Sequence, residues 1–248
     1  MGLFSRLFSS QNTGEPVDLG TLRVDMHSHF IPGIDDGAKT MKDSVEMITT
    51  MAELGYKKVV TTPHIMGDFY RNTPEIILTG LEQVRRAVAE AGVEIEIDAA
   101  AEYYFDFELE RKLDNEKLLT FGDNYLLFEV SYMNSPDNLD GVIFKMQTSG
   151  YKPVLAHPER YPYWFRDMNN FGKLKDKGVL FQLNLNSLTG HYSPDTAKMA
   201  EKMIEKGWYE FTGTDCHHTG HLELIRKVRG APALRKLMES GKLLNSTL

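Results

Sequence analysis

Histidines and carboxylates gather in four short segments spread along the chain: Asp25-Met26-His27-Ser28-His29, Pro63-His64, Ala156-His157-Pro158-Glu159-Arg160 and Thr214-Asp215-Cys216-His217. Each follows a short apolar run, and Asp36, Glu102 and Glu129 stand in comparable places. Imidazole and carboxylate donors without a thiolate cluster suit zinc, manganese or iron in a hydrolytic centre. His27 and His29 are two residues apart, so on an extended chain both rings point to one side, as a single ion requires. Five of the 8 histidines fall in these segments, too many for chance pairs at strand ends. Of the adjacent Asp35 and Asp36, one carboxylate is expected to ligate and the other to sit in a solvated turn or cap a helix, with Asp36 the better ligand. Glu102 and Glu129 end apolar runs, where a charge is rarely tolerated unless paired or metal-bound.

Other residues admit two readings. Arg160 is suited to bidentate contact with an anionic substrate oxygen, or to a salt bridge with Glu159 or another acid. Asn184 and Asn186 are substrate donors or turn residues. Tyr103, Tyr104 and Phe105 pack in the core or wall the site. Cys216 begins no phosphate loop of the C-x5-R kind, since Leu222 stands where the arginine belongs. It reads as an inert small residue between two candidate ligands.

Strands and helices must position these groups. Apolar runs predict strands at Leu22–Asp25, Lys58–Thr62, Val93–Ala101, Tyr125–Val130, Pro153–Ala156, Val179–Leu185 and Trp208–Thr212. Helical periodicity predicts Asp43–Leu54, Pro74–Ala91, Leu139–Thr148 and Pro194–Lys206, each closed by a glycine within two residues. The alternation implies a parallel sheet covered by helices. A barrel is favoured over an open doubly wound sheet because candidate ligands follow nearly every strand rather than gathering at one switch point.

The 248 residues suffice for one barrel-type domain. We expect a tail and linker over 1–20, with Met1–Phe8 packing on the surface, and a single domain over 21–248. The net charge of -7 argues against a nucleic-acid partner held by a basic patch. The lone cysteine excludes an intramolecular disulfide and fits the cytoplasm. No stretch is apolar and long enough to span a bilayer.

The ordered segments His27-Ser28-His29, Asp35-Asp36-Gly37-Ala38, Thr62-Pro63-His64, Ala156-His157-Pro158-Glu159-Arg160 and Asp215-Cys216-His217 resemble the polymerase and histidinol phosphatase (PHP) superfamily. Within it they are most similar to the bacterial tyrosine-protein phosphatases of capsular and exopolysaccharide loci. The resemblance runs from about Val24 to about His221. It implies an α/β fold, a distorted (β/α)7 TIM-like barrel, with a trinuclear metal cluster of manganese, or of iron or zinc. It assigns His27, His29, Glu102 and Asp215 to one metal, Glu102, Glu129 and His157 to a second, and Asp36, His64 and His217 to a third. Arg160 matches the phosphate-binding arginine. A second arginine expected after the Asp-x-His segment is missing, and His221 stands as its substitute. The implied reaction is hydrolysis of phosphotyrosine by a metal-bridging hydroxide. The implied partner is a bacterial tyrosine autokinase that controls polysaccharide export. The alternative is a small-molecule phosphatase of the histidinol-phosphate type.

Overall fold

The computed structural model describes residues 15–248, so the Met1–Phe8 segment lies outside the described residues. The strands are β1 (Val24–Asp25), β2 (Lys58–Thr61), β3 (His64–Ile65), β4 (Glu96–Ala99), β5 (Glu102–Tyr104), β6 (Tyr125–Glu129), β7 (Lys152–Ala156), β8 (Leu180–Asn184) and β9 (Phe211–Gly213). The helices are α1 (Met41–Glu53), α2 (Pro74–Glu90), α3 (Phe107–Asn115), α4 (Leu139–Thr148), α5 (Asn169–Asp176), α6 (Pro194–Lys206), α7 (Thr219–Val228) and α8 (Pro232–Glu239).

Helix boundaries follow from local chemistry. Thr40 caps α1 in a reciprocal capping box with Asp43, and the helix buries Ser44, Met47, Ile48 and Met51 along one stripe. Thr73 and Ser193 cap α2 and α6, and each is followed by a proline at the first turn. Helices α3, α5, α7 and α8 arise where periodicity predicts no helix. Helix α3 shows why: it buries only Leu109 and Leu113, too few apolar positions to establish a period.

All strand pairs are parallel. They form two sheets, β1-β2-β4 and β3-β5-β6-β7-β8-β9, rather than one continuous ring. The expected second and third strands, Lys58–Thr62 and Val93–Ala101, correspond to β2 and β4, and each is followed after a two-residue gap by a short strand that was not expected, β3 and β5. Pro63 has no N–H to give to a ladder, and the gap between β2 and β3 falls there. Across the gap, Ala100 N donates to Thr61 O and Glu102 N to Pro63 O, so β3 and β5 continue the lines of β2 and β4. Strands β1 and β9 share no ladder. Beyond their ends, Asp215 N donates to His27 O (2.8 Å) and His29 N to Cys216 O (3.0 Å), around a parallel bridge between Ser28 and Cys216.

Two apolar layers result. Val24, Val60, Ala100, Leu127, Val154, Ala156 and Phe211 form an inner cluster, with Tyr125, Leu180, Leu244 and Leu248 against it. The alternate strand residues, such as Leu126, Phe128 and Leu155, pack outward in the larger cluster under the helices. The chain enters that larger cluster early, because Val17 and Leu19 are buried in it and Val17 N donates to Arg229 O. The linker expected to run to Gly20 therefore ends before Val17. Leu22 belongs to a 3-10 turn (Leu19–Leu22), not to the first strand.

The C-terminal segment locks the first and last strands together. Asn245 is buried; its Oδ1 accepts Thr212 N, and its Nδ2 donates to Val24 O and Thr212 O at 2.8–2.9 Å. Asn245→Ala leaves these backbone groups unpaired. It is expected to lower unfolding free energy by about 1–3 kcal/mol in urea titrations, whereas the exposed Lys242→Ala is expected to change little.

Candidate metal centre

The site residues extend the inner layer toward the carboxyl ends of the strands. His64 lies four residues beyond Val60, Glu102 two beyond Ala100, Glu129 two beyond Leu127 and Asp215 four beyond Phe211, all in register with the inward-facing set. His157 breaks that alternation. It directly follows inward-facing Ala156 and turns on a left-handed backbone, φ 33°. Asp215 also has positive φ, 49°. Neither is glycine, so both backbones are held in a conformation that costs free energy and that the surrounding contacts must enforce.

Glu102 is the common neighbour. Its Oε2 lies 3.1 Å from His27 Nε2, 3.5 Å from His29 Nε2 and 3.2 Å from His64 Nδ1, and its Oε1 lies 3.1 Å from His157 Nε2. Asp215 Oδ1 is 3.3 Å from His27 Nε2, 3.4 Å from His29 Nε2 and 3.5 Å from His217 Nδ1. Glu129 Oε1 is 3.4 Å from His64 Nδ1. Asp36 Oδ1 is 3.5 Å from His64 Nε2 and 3.4 Å from His217 Nε2. The chain thus brings all nine expected ligand residues together.

Three groups have donor atoms close enough to share an ion: His27, His29, Glu102 and Asp215; His29, Asp36, His64 and His217; and His64, Glu102 and Glu129. The first coincides with the set expected for one metal. The second adds His29 to the expected trio. In the third, His64 takes the place expected for His157, which sits 4.0 Å from Glu129 Oε2.

Electrostatics reinforce the point. Burial alone would raise Glu102, but His27 and His64 beside it, with the His157 hydrogen bond, hold it well below the usual carboxylate range. Asp215 is likewise buried, and His27 and His217 hold it low. Glu129 goes the other way: burial, then Glu102 and Asp215 nearby, push it well above. Among the described residues His64 Nδ1 is buried without a hydrogen-bond partner. A lone imidazole nitrogen among carboxylates that cannot all ionise together is the donor set a multivalent cation completes.

Several supporting residues escaped the sequence reading. Asp35, expected only as a turn or cap residue, is buried and bonds His29 Nδ1 at 2.8 Å while accepting Gly37 N and His64 N. Gln182 Oε1 bonds His27 Nδ1 at 2.9 Å and accepts His157 N. Each leaves the Nε2 of its histidine against the carboxylates, the usual orienting contact of a metal-ligating imidazole. Asp25 accepts both the amide and the hydroxyl of Thr214 and so pins the last segment to the first. Asp25 stands in the first of the four segments but, like Gln182, takes its role only from a partner segment.

Arg160 makes no bond to Glu159. Its Nη1 is 3.1 Å from Asp215 Oδ2, and its guanidinium lies over the rings of Tyr192 (3.9 Å) and Tyr132 (4.8 Å). Glu159 is turned inward to Asn184 N, Ser187 Oγ and Tyr209 Oη. Asn184 donates to Asp215 Oδ2 at 2.7 Å and to Tyr192 Oη, so it positions a candidate ligand, while Asn186 is buried in the turn that follows. His221 has Nδ1 beside backbone, 3.3 Å from His217 N, and burial with His218 nearby pushes it down to about 4. A neutral ring offers a hydrogen bond at Nε2 but not the charge of an arginine. Cys216 is buried against Met47, its thiol pushed up by burial, which fits an inert role. Tyr103 is buried and takes part in packing through Leu119 N; Tyr104 does reach the site.

Asp36, His64, Glu102, Glu129, His157, Arg160, Asp215, His217 and His221 line one cavity of about 600 Å³, with Tyr70, Tyr104, Tyr132 and Tyr192 on its walls. Its charged lining is four carboxylates, Asp36, Glu102, Glu129 and Asp215, against Arg160.

The chain is 26% identical over 230 residues to tyrosine-protein phosphatase YwqE of Bacillus subtilis, covering 89% of this chain and 91% of that one. It is 25% identical over 201 residues to tyrosine-protein phosphatase CpsB of Streptococcus pneumoniae, with 79% and 83% covered. Its structure superposes with a TM-score of 0.76, at 25% identity over 90% of this chain and 94% of the other, on a crystal structure from a study of YwqE and CpsB as metal-dependent tyrosine phosphatases. A histidinol phosphate phosphatase of Lactococcus lactis shares the fold at 12% identity, with a TM-score of 0.51 and 88% and 94% covered. The model for capsular polysaccharide synthesis proteins, CpsB/CapC, matches residues 23–229. Since that span holds every side chain that builds the cavity, the chain belongs to the CpsB/CapC family.

Proposed function

We propose that this protein is a metal-dependent protein-tyrosine phosphatase of a capsule or exopolysaccharide locus, acting in the cytoplasm on a tyrosine autokinase. The two sheets are read as one distorted (β/α)7 barrel, a single domain from Val17 onward. The observation that carries the activity is the convergent donor set: three groups of imidazole and carboxylate atoms close enough to share an ion, with His64 Nδ1 buried among them without a hydrogen-bond partner. Cations held there would offset the carboxylates and let the cavity accept a phosphomonoester dianion. The imidazole and carboxylate donors fit that role without any thiolate, and manganese is the first choice, with iron or zinc as alternatives.

His27, His29, Glu102 and Asp215 would hold one ion. Glu102, Glu129 and His157 would hold a second, with His64 close to that group, and Asp36, His64 and His217 a third. When bound, such a cluster supplies Lewis acidity and a water of lowered pKa. The chain's own residues do the rest. Asp35 and Gln182 fix the orientation of His29 and His27. Arg160, held between Tyr132 and Tyr192, binds phosphoryl oxygens and stabilises charge as the ester bond breaks. His221 contributes a neutral hydrogen bond where a second cation was expected. A tyrosine leaving group has a pKa of about 10 and departs with little help from an acid.

Metal, not thiol, is expected to govern turnover. Asp215→Ala should abolish para-nitrophenyl phosphate hydrolysis and reduce the metal content found by elemental analysis. Cys216→Ser should keep most activity; an inactive but fully metal-loaded Cys216→Ser protein would overturn the reading. Arg160→Ala should preserve metal content and lower kcat/KM by roughly 2–4 kcal/mol, with weaker inhibition by orthophosphate. Tyr192→Leu, which removes the closer stack, should cost about 1 kcal/mol in the same assays. Paired peptides that differ only in phosphotyrosine or phosphoserine should show higher kcat/KM for phosphotyrosine, because a serine alkoxide needs full protonation. Equal values, or a preference for histidinol phosphate, would point to a general or small-molecule phosphatase.

A further inference from the structure

A second groove of about 600 Å³ opens beside the site cavity, and Met66 and Tyr70 line both. None of the other cavities described shares a wall with the site. One side of the groove is the turn after β3, closed by an antiparallel bridge between Met66 and Tyr70. The other is the start of α3. Gly67 N donates to Asp106 Oδ2, and a Cβ at Gly67 would stand 2.9 Å from Glu108 Cγ, so the two walls meet at the groove floor.

The lining chemistry is that of a recognition surface. Phe107 is 76% exposed on the α3 wall, and Phe69, which lines neither cavity, is 71% exposed on the adjoining turn. Arg71 uses Nε on Gly67 O, which leaves its terminal nitrogens for a ligand. Exposed aromatics with methionine and arginine, rimmed by polar residues, are the composition of a binding interface rather than of an idle surface. The acids here are largely used: Asp106 caps α3 and Glu108 pairs with Arg111.

We propose that this groove binds the polypeptide flanking the phosphotyrosine, with an apolar substrate side chain against Phe107 and a main-chain carbonyl or a carboxylate on Arg71. The inference rests on the phosphatase reading above. With its phosphoryl group at the histidines and carboxylates, a tyrosine side chain brings its own main chain to the cavity rim. Neighbouring residues then follow the surface that continues from that rim, and the shared wall of Met66 and Tyr70 leads here.

The test uses metal-loaded full-length enzyme, Phe107→Ala and Arg71→Ala, with para-nitrophenyl phosphate and a phosphotyrosine peptide set in which each flanking position carries Leu or Ala. Both variants should hydrolyse para-nitrophenyl phosphate like the parent, and lose about tenfold in kcat/KM on the best peptide, mainly through KM. The Leu-to-Ala penalty at one flank should vanish in Phe107→Ala, the coupling expected of residues in contact. A peptide bearing a non-hydrolysable phosphonate should lose affinity for both variants in parallel, measured by calorimetry. Unchanged peptide kinetics, or equal losses on both substrates, would overturn the groove while leaving the phosphatase reading intact. A parent that cleaves para-nitrophenyl phosphate but neither cleaves nor binds any phosphotyrosine peptide would overturn both.

Discussion

The whole arrangement turns on one buried carboxylate. Glu102 has no exposure, yet its two oxygens meet four imidazoles carried by three separate segments, His27 and His29, His64 and His157. A charge so placed is costly unless it is compensated at short range. Compensation forces the carboxyl ends of the first, second, third and fifth strand lines to converge on one point. Asp215 then draws in the last strand and Glu129 the fourth. The inner apolar layer beneath has no comparable directional demand, because Val, Ala, Leu and Phe side chains fill space without fixed partners.

Convergence has a local consequence in the backbone. His157 and Asp215 adopt positive φ, and each is tied down by contacts that a relaxed backbone would break. His157 N is bonded by Gln182, and Asp215 N by His27 O. Gln182 therefore acts twice, on the ring of one histidine and on the backbone of another. Asp25 acts in the same way through Thr214. Strain at the site is sustained by polar groups buried one layer out, so these supporting residues are as much part of the centre as the candidate ligands.

This division explains what could be read from the sequence. The candidate ligands were legible because each pairs a distinctive residue type with the end of an apolar run, and the two-residue spacing of His27 and His29 is itself geometric. The long amphipathic helices α1, α2, α4 and α6 were legible from their period and caps. Residues whose role depends on a distant partner were not. Asp35 looks like any Asp-Gly turn residue until His29 is beside it, and Asn245 looks like a frayed terminus until Val24 and Thr212 need its amide. Short polar helices such as α3 lack the apolar stripe that would announce them. Strands β3 and β5 were hidden because the sequence pattern continues through Ala100 and Ala101, and only pairing with the Pro63 segment reveals the gap.

Chemistry and recognition are carried by different parts of the chain. Apart from Asp36, on the loop before α1, the candidate ligands stand at or just beyond strand ends, where ladder bonds and the inner layer restrict movement. The walls around them come largely from irregular segments, the turn over 66–73, Tyr132 and Met133 after β6, and Tyr192 before α6, joined by Tyr104 at the end of β5 and Phe107 at the start of α3. These loops touch the centre at few points, such as the ring of Tyr70 stacked on His64 and the stack of Tyr192 on Arg160. A substitution at a loop tip thus alters which ester reaches the carboxylates and imidazoles, while a substitution at a strand end dismantles the charge balance around Glu102. Different phosphate esters can be served by one such strand-end centre when only its rim differs, and the rim of this chain, aromatic and open on one side into a second groove, is shaped for an aryl ester attached to a polypeptide.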